Sequence, residues 1–311
     1  MSNELLEAPK SRRGVITVVL AVVVVAALVA AYFLFIRDNG GAVGAAEENT
    51  IRIGVVDDSD PYWDVFVDAA EEEGLSIEIV NYDEYSLPNP ALDEGEIDLN
   101  QFQHIVFLAE YVANTDSDLV PIGSTAIYPL GLYSTQYDSV EDIPDGATVV
   151  VPDDPSNRAR ALLILQSAGL IELEGGGSIF SDLTEVDEAA SRVEVTEAAA
   201  DLTATSLDDV AAAVINNDFI EAAGLTPDDT IAEDDPSDPN ALPYVNIFAA
   251  RGEDKDNEDY LKLVEIYQDT QEVLDGVQEA AGGTAEFVKI PAADLETSLA
   301  DTVEDTKANQ G

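Results

Sequence analysis

The chain has 311 residues, enough for about two domains, and its 64 acidic and 13 basic residues give a net charge of −51. Such a charge excludes a nucleic-acid-binding surface, which needs clustered Lys and Arg, and argues against docking on anionic lipid through a basic patch. The absence of Cys excludes disulfides, thiol catalysis and Cys-linked lipid anchors, and a single His excludes His-rich metal sites.

The first predicted element is a transmembrane helix over residues 15–36, an apolar run interrupted only by Thr17. At 1.5 Å per residue this run covers the roughly 30 Å hydrocarbon core of a bilayer. Three basic residues precede it, which places residues 1–14 in the cytoplasm and everything after the helix outside; they are Lys10, Arg12 and Arg13.

A cleaved signal peptide is the alternative interpretation, with a cleavage site before Ala46. The apolar core of a signal peptide is usually only about 7–15 residues long, so the length of the run favours an uncleaved anchor. Residues 37–50 contain glycines, alanines and acids without a periodic apolar pattern, and are predicted to form a flexible tether.

From residue 51 onward, the pattern alternates between strands and helices. Strands are predicted at 51–56, 75–80 and 119–127, with helices at about 60–73, near Pro90 and at 103–114. This rhythm predicts a parallel sheet covered by helices.

The same rhythm restarts in the second half and predicts a second α/β lobe. Ser206 is expected to cap a helix over 207–215, because Asp208 and Asp209 suit a first helical turn. The other expected strands and helices lie at 148–151, 193–195, 244–250 and 286–290, and at 157–168 and 259–281. Two-lobed chains of this kind commonly bind small molecules in the cleft between the lobes.

The chain contains none of the short motifs that mark hydrolases, zinc proteases or phosphate-binding loops. We therefore predict that the protein is not an enzyme and has no cofactor. We also predict no metal site, because the segment with Asp234, Asp235 and Asp238 lacks the glycine and final Glu of a calcium-binding loop. Only nine basic residues follow residue 49, and two of them, Arg158 and Arg160, begin a predicted helix. A helix N-terminus beside an Arg fork suits a carboxylate, although both arginines could simply pair with surface acids.

Four segments resemble the NlpA/MetQ family, the methionine-binding receptors of ABC importers. They occur in the family's order and together span about residues 51–290. The segments are YSLPN at 85–89 with AL at 91–92 and GEID at 95–98; NQFQH at 100–104; VPDDPSN at 151–157 with RAL at 160–162; and AVIN at 213–216 with YVN at 244–246.

The resemblance implies a two-lobed periplasmic-binding-protein-like fold (type II) that closes over one amino acid. Lobe I would comprise 51–129 plus 250–311, and lobe II 130–249. The implied ligand is L-methionine, with D-methionine, another amino acid or a methionine-containing dipeptide as alternatives. The implied partners are an ABC permease and its ATPase subunits; a membrane-tethered sensor without a transport role is the alternative from another class.

Residue by residue, the resemblance assigns Arg160 to the ligand carboxylate. A buried zwitterion needs such a cation, together with carbonyl-type acceptors for its ammonium, and a thioether suits aromatic walls. Family members usually carry an acylated Cys, so here the 15–36 helix would replace the lipid. The other implied ligand-binding residues are Asn157, Asn216 and Asn246 for the polar groups, and Tyr85, Phe102, His104 and Tyr128 for the side-chain pocket.

Overall fold

A computed structural model describes residues 50–310, apart from the side chains at 222, 239 and 240. Residues from Ile51 onward form one compact unit. The predicted cytoplasmic segment, the 15–36 anchor and the tether up to residue 49 lie outside the described residues, and Thr50 already begins the first strand. Within residues 50–310, no helix is both long and apolar enough to cross a bilayer.

The described residues contain eight α-helices and twelve β-strands. The helices are α1 (Tyr62–Glu72), α2 (Pro88–Asp93), α3 (Ile105–Thr115), α4 (Pro155–Ser167), α5 (Ala200–Thr203), α6 (Glu258–Asp269), α7 (Gln271–Ala280) and α8 (Ala292–Gln310). The strands are β1 (Thr50–Val56), β2 (Ser76–Tyr82), β3 (Leu99–His104), β4 (Leu119–Ser124), β5 (Ala126–Ile127), β6 (Gly131–Tyr133), β7 (Thr148–Pro152), β8 (Glu194–Ala198), β9 (Ala212–Ile215), β10 (Thr230–Glu233), β11 (Asn246–Arg251) and β12 (Glu286–Phe287).

Ten of these strands form two mixed sheets. The first sheet has the order β2-β1-β3-β11-β4, with β1 parallel to β3 and β11 antiparallel to both its neighbours. The second has the order β10-β6-β9-β7-β8, with β7 parallel to β8 and β9, and β6 antiparallel to β9 and β10. The prediction of a parallel sheet is therefore wrong, because β6 and β11 run against their neighbours.

Strand β11 carries the chain back from the second sheet into the first. Its first residue, Asn246, lies opposite His104 of β3, and the pairing continues to Ala249 opposite Asn100. The limit at residue 249 that the resemblance implied for lobe II falls inside this strand. The division into lobes stays a prediction, but the pairing fixes Asn246 beside His104.

Both faces of the first sheet are buried, and β11 shows the alternation directly. Phe248 packs with Phe66 of α1 and Tyr267 of α6, at ring-centroid distances of 6.2 and 5.3 Å. Its neighbour Ile247 belongs to the cluster on the other face, with Leu108 of α3. Because successive strand residues point to opposite faces, a strand covered on both sides is apolar throughout.

Strand β3 is polar in sequence yet fully buried, and its last two residues correct the start of the helix predicted at 103–114. Asn89, Asn100 and Gln103 bond one another through their side-chain amides, at donor–acceptor distances of 2.6–2.9 Å. This closed network satisfies groups that would otherwise be costly to bury. The helix begins only after the strand, at Ile105.

Two other predicted helices are corrected. Residues Thr205–Asp208 form a 3-10 turn, and the following segment is the fully buried strand β9, because it lies between β6 and β7 in the second sheet. The predicted helix 259–281 is divided into α6 and α7 at Thr270, whose backbone is extended with φ −83° and ψ 110°.

Candidate functional site

One cavity is lined by residues of the first sheet, of α4 and of the segments that precede β6 and follow β9. It leaves about 390 Å³ between protein atoms, counting its opening to solvent. The structure places all eight predicted ligand-binding residues around this cavity, whereas their contacts with a ligand stay a prediction. They are Tyr85, Phe102, His104, Tyr128, Asn157, Arg160, Asn216 and Asn246.

His104 ends β3 and caps α3, and its ring is held in one tautomer. The backbone N–H of Phe107 donates to His104 Nδ1 at 3.1 Å, so the ring proton lies on Nε2, which donates to Asn157 Oδ1 at 3.2 Å. Burial, assisted by the nearby charge of Arg160, lowers the pKa of His104 to about 3. The imidazole is therefore neutral at physiological pH.

We expect the His104 resonances to show no titration between pH 8 and pH 5 in proton NMR, where the chain's single His gives an unambiguous signal. The folded pKa lies below the ordinary 6.5, so stability from this group is present above pH 6.5 and declines as pH falls toward 3. A titration midpoint near 6.5 in the folded protein would contradict the buried, neutral ring.

Asn157 is fixed by the N-terminus of α4. Asp154 caps this helix by accepting the Asn157 backbone N–H at 2.9 Å, and its other oxygen accepts Asn157 Nδ2 at 3.2 Å. Because the Asn157 amide is bonded on one side to Asp154 and on the other to His104, its orientation is determined. Asn157 is only 2% exposed.

Arg160 follows on the same helix and is the cavity's cation. Its Nε and Nη2 donate to the two carboxylate oxygens of Asp234, at 2.5 and 3.0 Å, and Nη2 also donates to the Tyr128 carbonyl at 2.8 Å. The guanidinium carbon lies 4.4 Å from the centroid of the Tyr244 ring. Arg158, in contrast, pairs with exposed Glu197 and does not line the cavity.

Aromatic rings form one wall of the cavity. Tyr85, Phe102 and Phe107 contact one another with centroid distances of 5.7–5.9 Å, and Tyr85 also contacts Phe219 at 5.0 Å. Such a wall suits an apolar or thioether side chain.

Two carboxamides complete the polar lining. Asn216 follows β9, is 7% exposed, and its Oδ1 is buried without a hydrogen-bond partner among the described residues. Asn246 stands beside His104 at the start of β11. A buried acceptor without a donor is costly in the free protein, so Asn216 Oδ1 is a ready acceptor for a ligand N–H.

Tyr85 also binds Asp218, which follows β9 in the second sheet. The Tyr85 hydroxyl donates to Asp218 Oδ2 at 2.8 Å, and Asn217 Nδ2 donates to Oδ1 at 2.6 Å. Burial, reinforced by Asp57 and Asp60, raises the pKa of Asp218 to about 7 despite these bonds. Asp57, Asp60 and Asp218 line a second cavity beside the first.

We expect Asp218→Asn to raise the free energy of unfolding at pH 8 by roughly 1–3 kcal/mol, less than the full pKa shift implies because the residue is partly exposed. The folded pKa lies above the ordinary 3.8, so the stability from the protonated form is present below pH 3.8 and lost as pH rises through about 7. Urea unfolding at pH 5 and pH 8 measures this. The exposed Glu71→Gln is the control, and an equal pH dependence in Asp218→Asn and wild type would contradict the expectation.

The sequence did not identify several lining residues: Gln103, Phe107, Pro129, Leu130 and Asn217. Phe107 carried a usable signal, because it follows His104 by three residues in the predicted helix 103–114 and would share its face. The pairing of Asp234 with Arg160 has no signal in the sequence of a chain with 64 acidic residues.

Comparison with known proteins gives consistent matches. The family model for the NlpA lipoprotein matches residues 51–288. The D-methionine-binding lipoprotein MetQ of Yersinia pestis is 38% identical over 221 residues, which cover 70% of this chain and 79% of that protein.

Solved structures share the fold. Protein PG110 from Staphylococcus aureus superposes with a TM-score of 0.77 at 33% identity, covering 81% of this chain and 99% of that one. A nutrient-binding protein from Burkholderia cenocepacia, bound to methionine, gives a TM-score of 0.70 at 36% identity, covering 76% and 99%.

Proposed function

The chain belongs to the NlpA lipoprotein family, and we propose that it is the substrate receptor of an ABC importer for methionine. One observation supports this cavity as the binding site. Although the chain has 64 acidic residues, no Asp or Glu is among the described residues that line the cavity, whereas Arg160 is. A lining with one cation, several carboxamides and an aromatic wall is complementary to a zwitterion with an apolar side chain.

In the proposed complex, the ligand carboxylate lies against Arg160, and the ammonium donates to Asn216 and Asn246. Asn157 and neutral His104 add hydrogen bonds or contact without adding charge. The thioether lies against Tyr85 and Phe102, with Tyr128 at the edge. No bond in the ligand is broken, so the protein acts as a receptor and not as an enzyme.

We further propose the type II two-lobed arrangement, with lobes that close on the ligand and reopen when the receptor docks on the permease and its ATPase subunits. The binding unit would stand outside the cytoplasmic membrane. The segment 15–36 would hold it there as a single-pass anchor, because the chain has no Cys to acylate.

The anchor is tested by extracting membranes at alkaline pH, which removes peripheral proteins. We expect the protein to stay in the membrane fraction. Its mass should correspond to a chain that still includes the N-terminal residues. The triple substitution Val22→Arg, Val25→Arg and Leu28→Arg should release it, because three charges near the centre of the span together cost about 9 kcal/mol. A mature protein that begins near Ala46 would instead indicate a cleaved signal.

The ligand is tested by titration calorimetry of the full-length, ligand-free protein with L-methionine, D-methionine, leucine and a methionine dipeptide. We expect a one-to-one isotherm with L-methionine. Tighter binding of D-methionine would leave the receptor function unchanged and make the D enantiomer the preferred ligand. That preference would agree with the name of the Yersinia pestis relative. No heat with any member of the panel would contradict the receptor and favour a tethered sensor.

A further inference from the structure

Asp234 stands directly behind the cavity's only described cation. It follows β10, and both of its carboxylate oxygens accept hydrogen bonds from Arg160 in a two-pronged pair. Oδ1 also accepts the Leu130 backbone N–H at 2.8 Å, which ties the carboxylate to the segment leading into β6. Asp234 is therefore held by the backbone on one side and by the guanidinium on the other.

The bonding leaves one edge of Arg160 available. Nε and Nη2 are engaged by Asp234 and by the Tyr128 carbonyl, whereas Nη1 donates to none of the described residues. The arginine side chain is only 6% exposed and lines the cavity, whereas Asp234 is absent from the lining. The free edge of the guanidinium is thus available to the cavity.

We propose that Asp234 is a positioning residue for ligand recognition: it fixes the guanidinium of Arg160 so that Nη1 meets the ligand carboxylate, without contacting the ligand itself. This rests on the proposed function. A planar guanidinium bound at two nitrogens cannot rotate without breaking both bonds, so its orientation is set before the ligand arrives. Asp234 also balances a charge that would be unfavourable to bury alone.

The opposite role is competition, in which Asp234 occupies the place of a ligand carboxylate and must be displaced. The two roles predict effects of opposite sign. If Asp234 positions Arg160, its removal weakens binding; if it competes, its removal strengthens binding.

The first test measures methionine affinity of the full-length Asp234→Asn variant by calorimetry. We expect at least a tenfold loss. Glu197→Gln is the matched control, because it removes the carboxylate partner of Arg158 on the same helix; its affinity should stay within twofold of wild type. Unchanged or tighter binding in Asp234→Asn would overturn the proposal. Absence of methionine binding in wild type would instead refute the proposed function.

The second test needs no variant and separates positioning from competition. In wild type labelled with nitrogen-15, the Arg160 Nε–H resonance reports its bond to Asp234. We expect this resonance to keep its shift when methionine binds, because Asp234 stays in place and the ligand meets Nη1. A large shift toward the value of exposed arginines would mean that methionine displaces Asp234, and would overturn the proposal.

Discussion

Replacing Arg160 by alanine is expected to lower methionine affinity by about 1,000-fold or more. The guanidinium is the only charged group among the described residues that line the cavity, so the ligand carboxylate would lose its counter-charge on entering a largely buried space. The same substitution leaves Asp234 unpaired behind the cavity and adds repulsion. Titration calorimetry with L-methionine measures the effect.

Arg158→Ala is the control for this experiment. Arg158 lies on the same helix two residues away, but its partner is exposed Glu197, and exposed pairs contribute little. We expect its affinity to stay within threefold of wild type. Equal affinities in Arg160→Ala and wild type would refute the assignment of the carboxylate site.

Replacing Asn216 by leucine is expected to separate binding from stability. Its Oδ1 is buried without a partner among the described residues, so an apolar side chain of similar volume removes an unsatisfied acceptor. We expect the ligand-free variant to be as stable as wild type or more stable by about 1 kcal/mol. The ligand ammonium loses a charge-assisted bond, and affinity should fall about 10- to 100-fold.

Urea unfolding without ligand and calorimetry with methionine give the two quantities. Asn114→Leu, an exposed position at the end of α3, controls for the exchange of side-chain type and should leave affinity unchanged. A stability loss of several kcal/mol in Asn216→Leu, or wild-type affinity, would show that Asn216 serves the fold and not the ligand.

The family motifs pointed to residues of one cavity because they mark positions where side chains meet in space. The segments around His104, Asn157 and Asn246 are distant in sequence, yet β3, α4 and β11 bring them to one cavity. Local sequence patterns predicted secondary structure less accurately where tertiary contacts determine it. Strand β9 has no turn signal to separate it from the preceding residues, and only its place between β6 and β7 makes it a strand.

Partners that depend on geometry could not be predicted. The polar strand β3 is buried because Asn89 completes its amide network, and no propensity scale contains that pairing. Asp234 is one of 64 acidic residues, and only the fold places it against Arg160. Charge composition therefore could not predict which carboxylate pairs with Arg160.

A crystal structure of the full-length protein with L-selenomethionine tests the central claim most directly. With protein grown on ordinary methionine, selenium occurs only in the ligand, and its anomalous signal marks the end of the side chain. We predict a single peak against Tyr85 and Phe102, with the ligand carboxylate within hydrogen-bond distance of Arg160 Nη1. A peak near Arg160, which would reverse the ligand, or selenium bound only outside this cavity, would contradict the account.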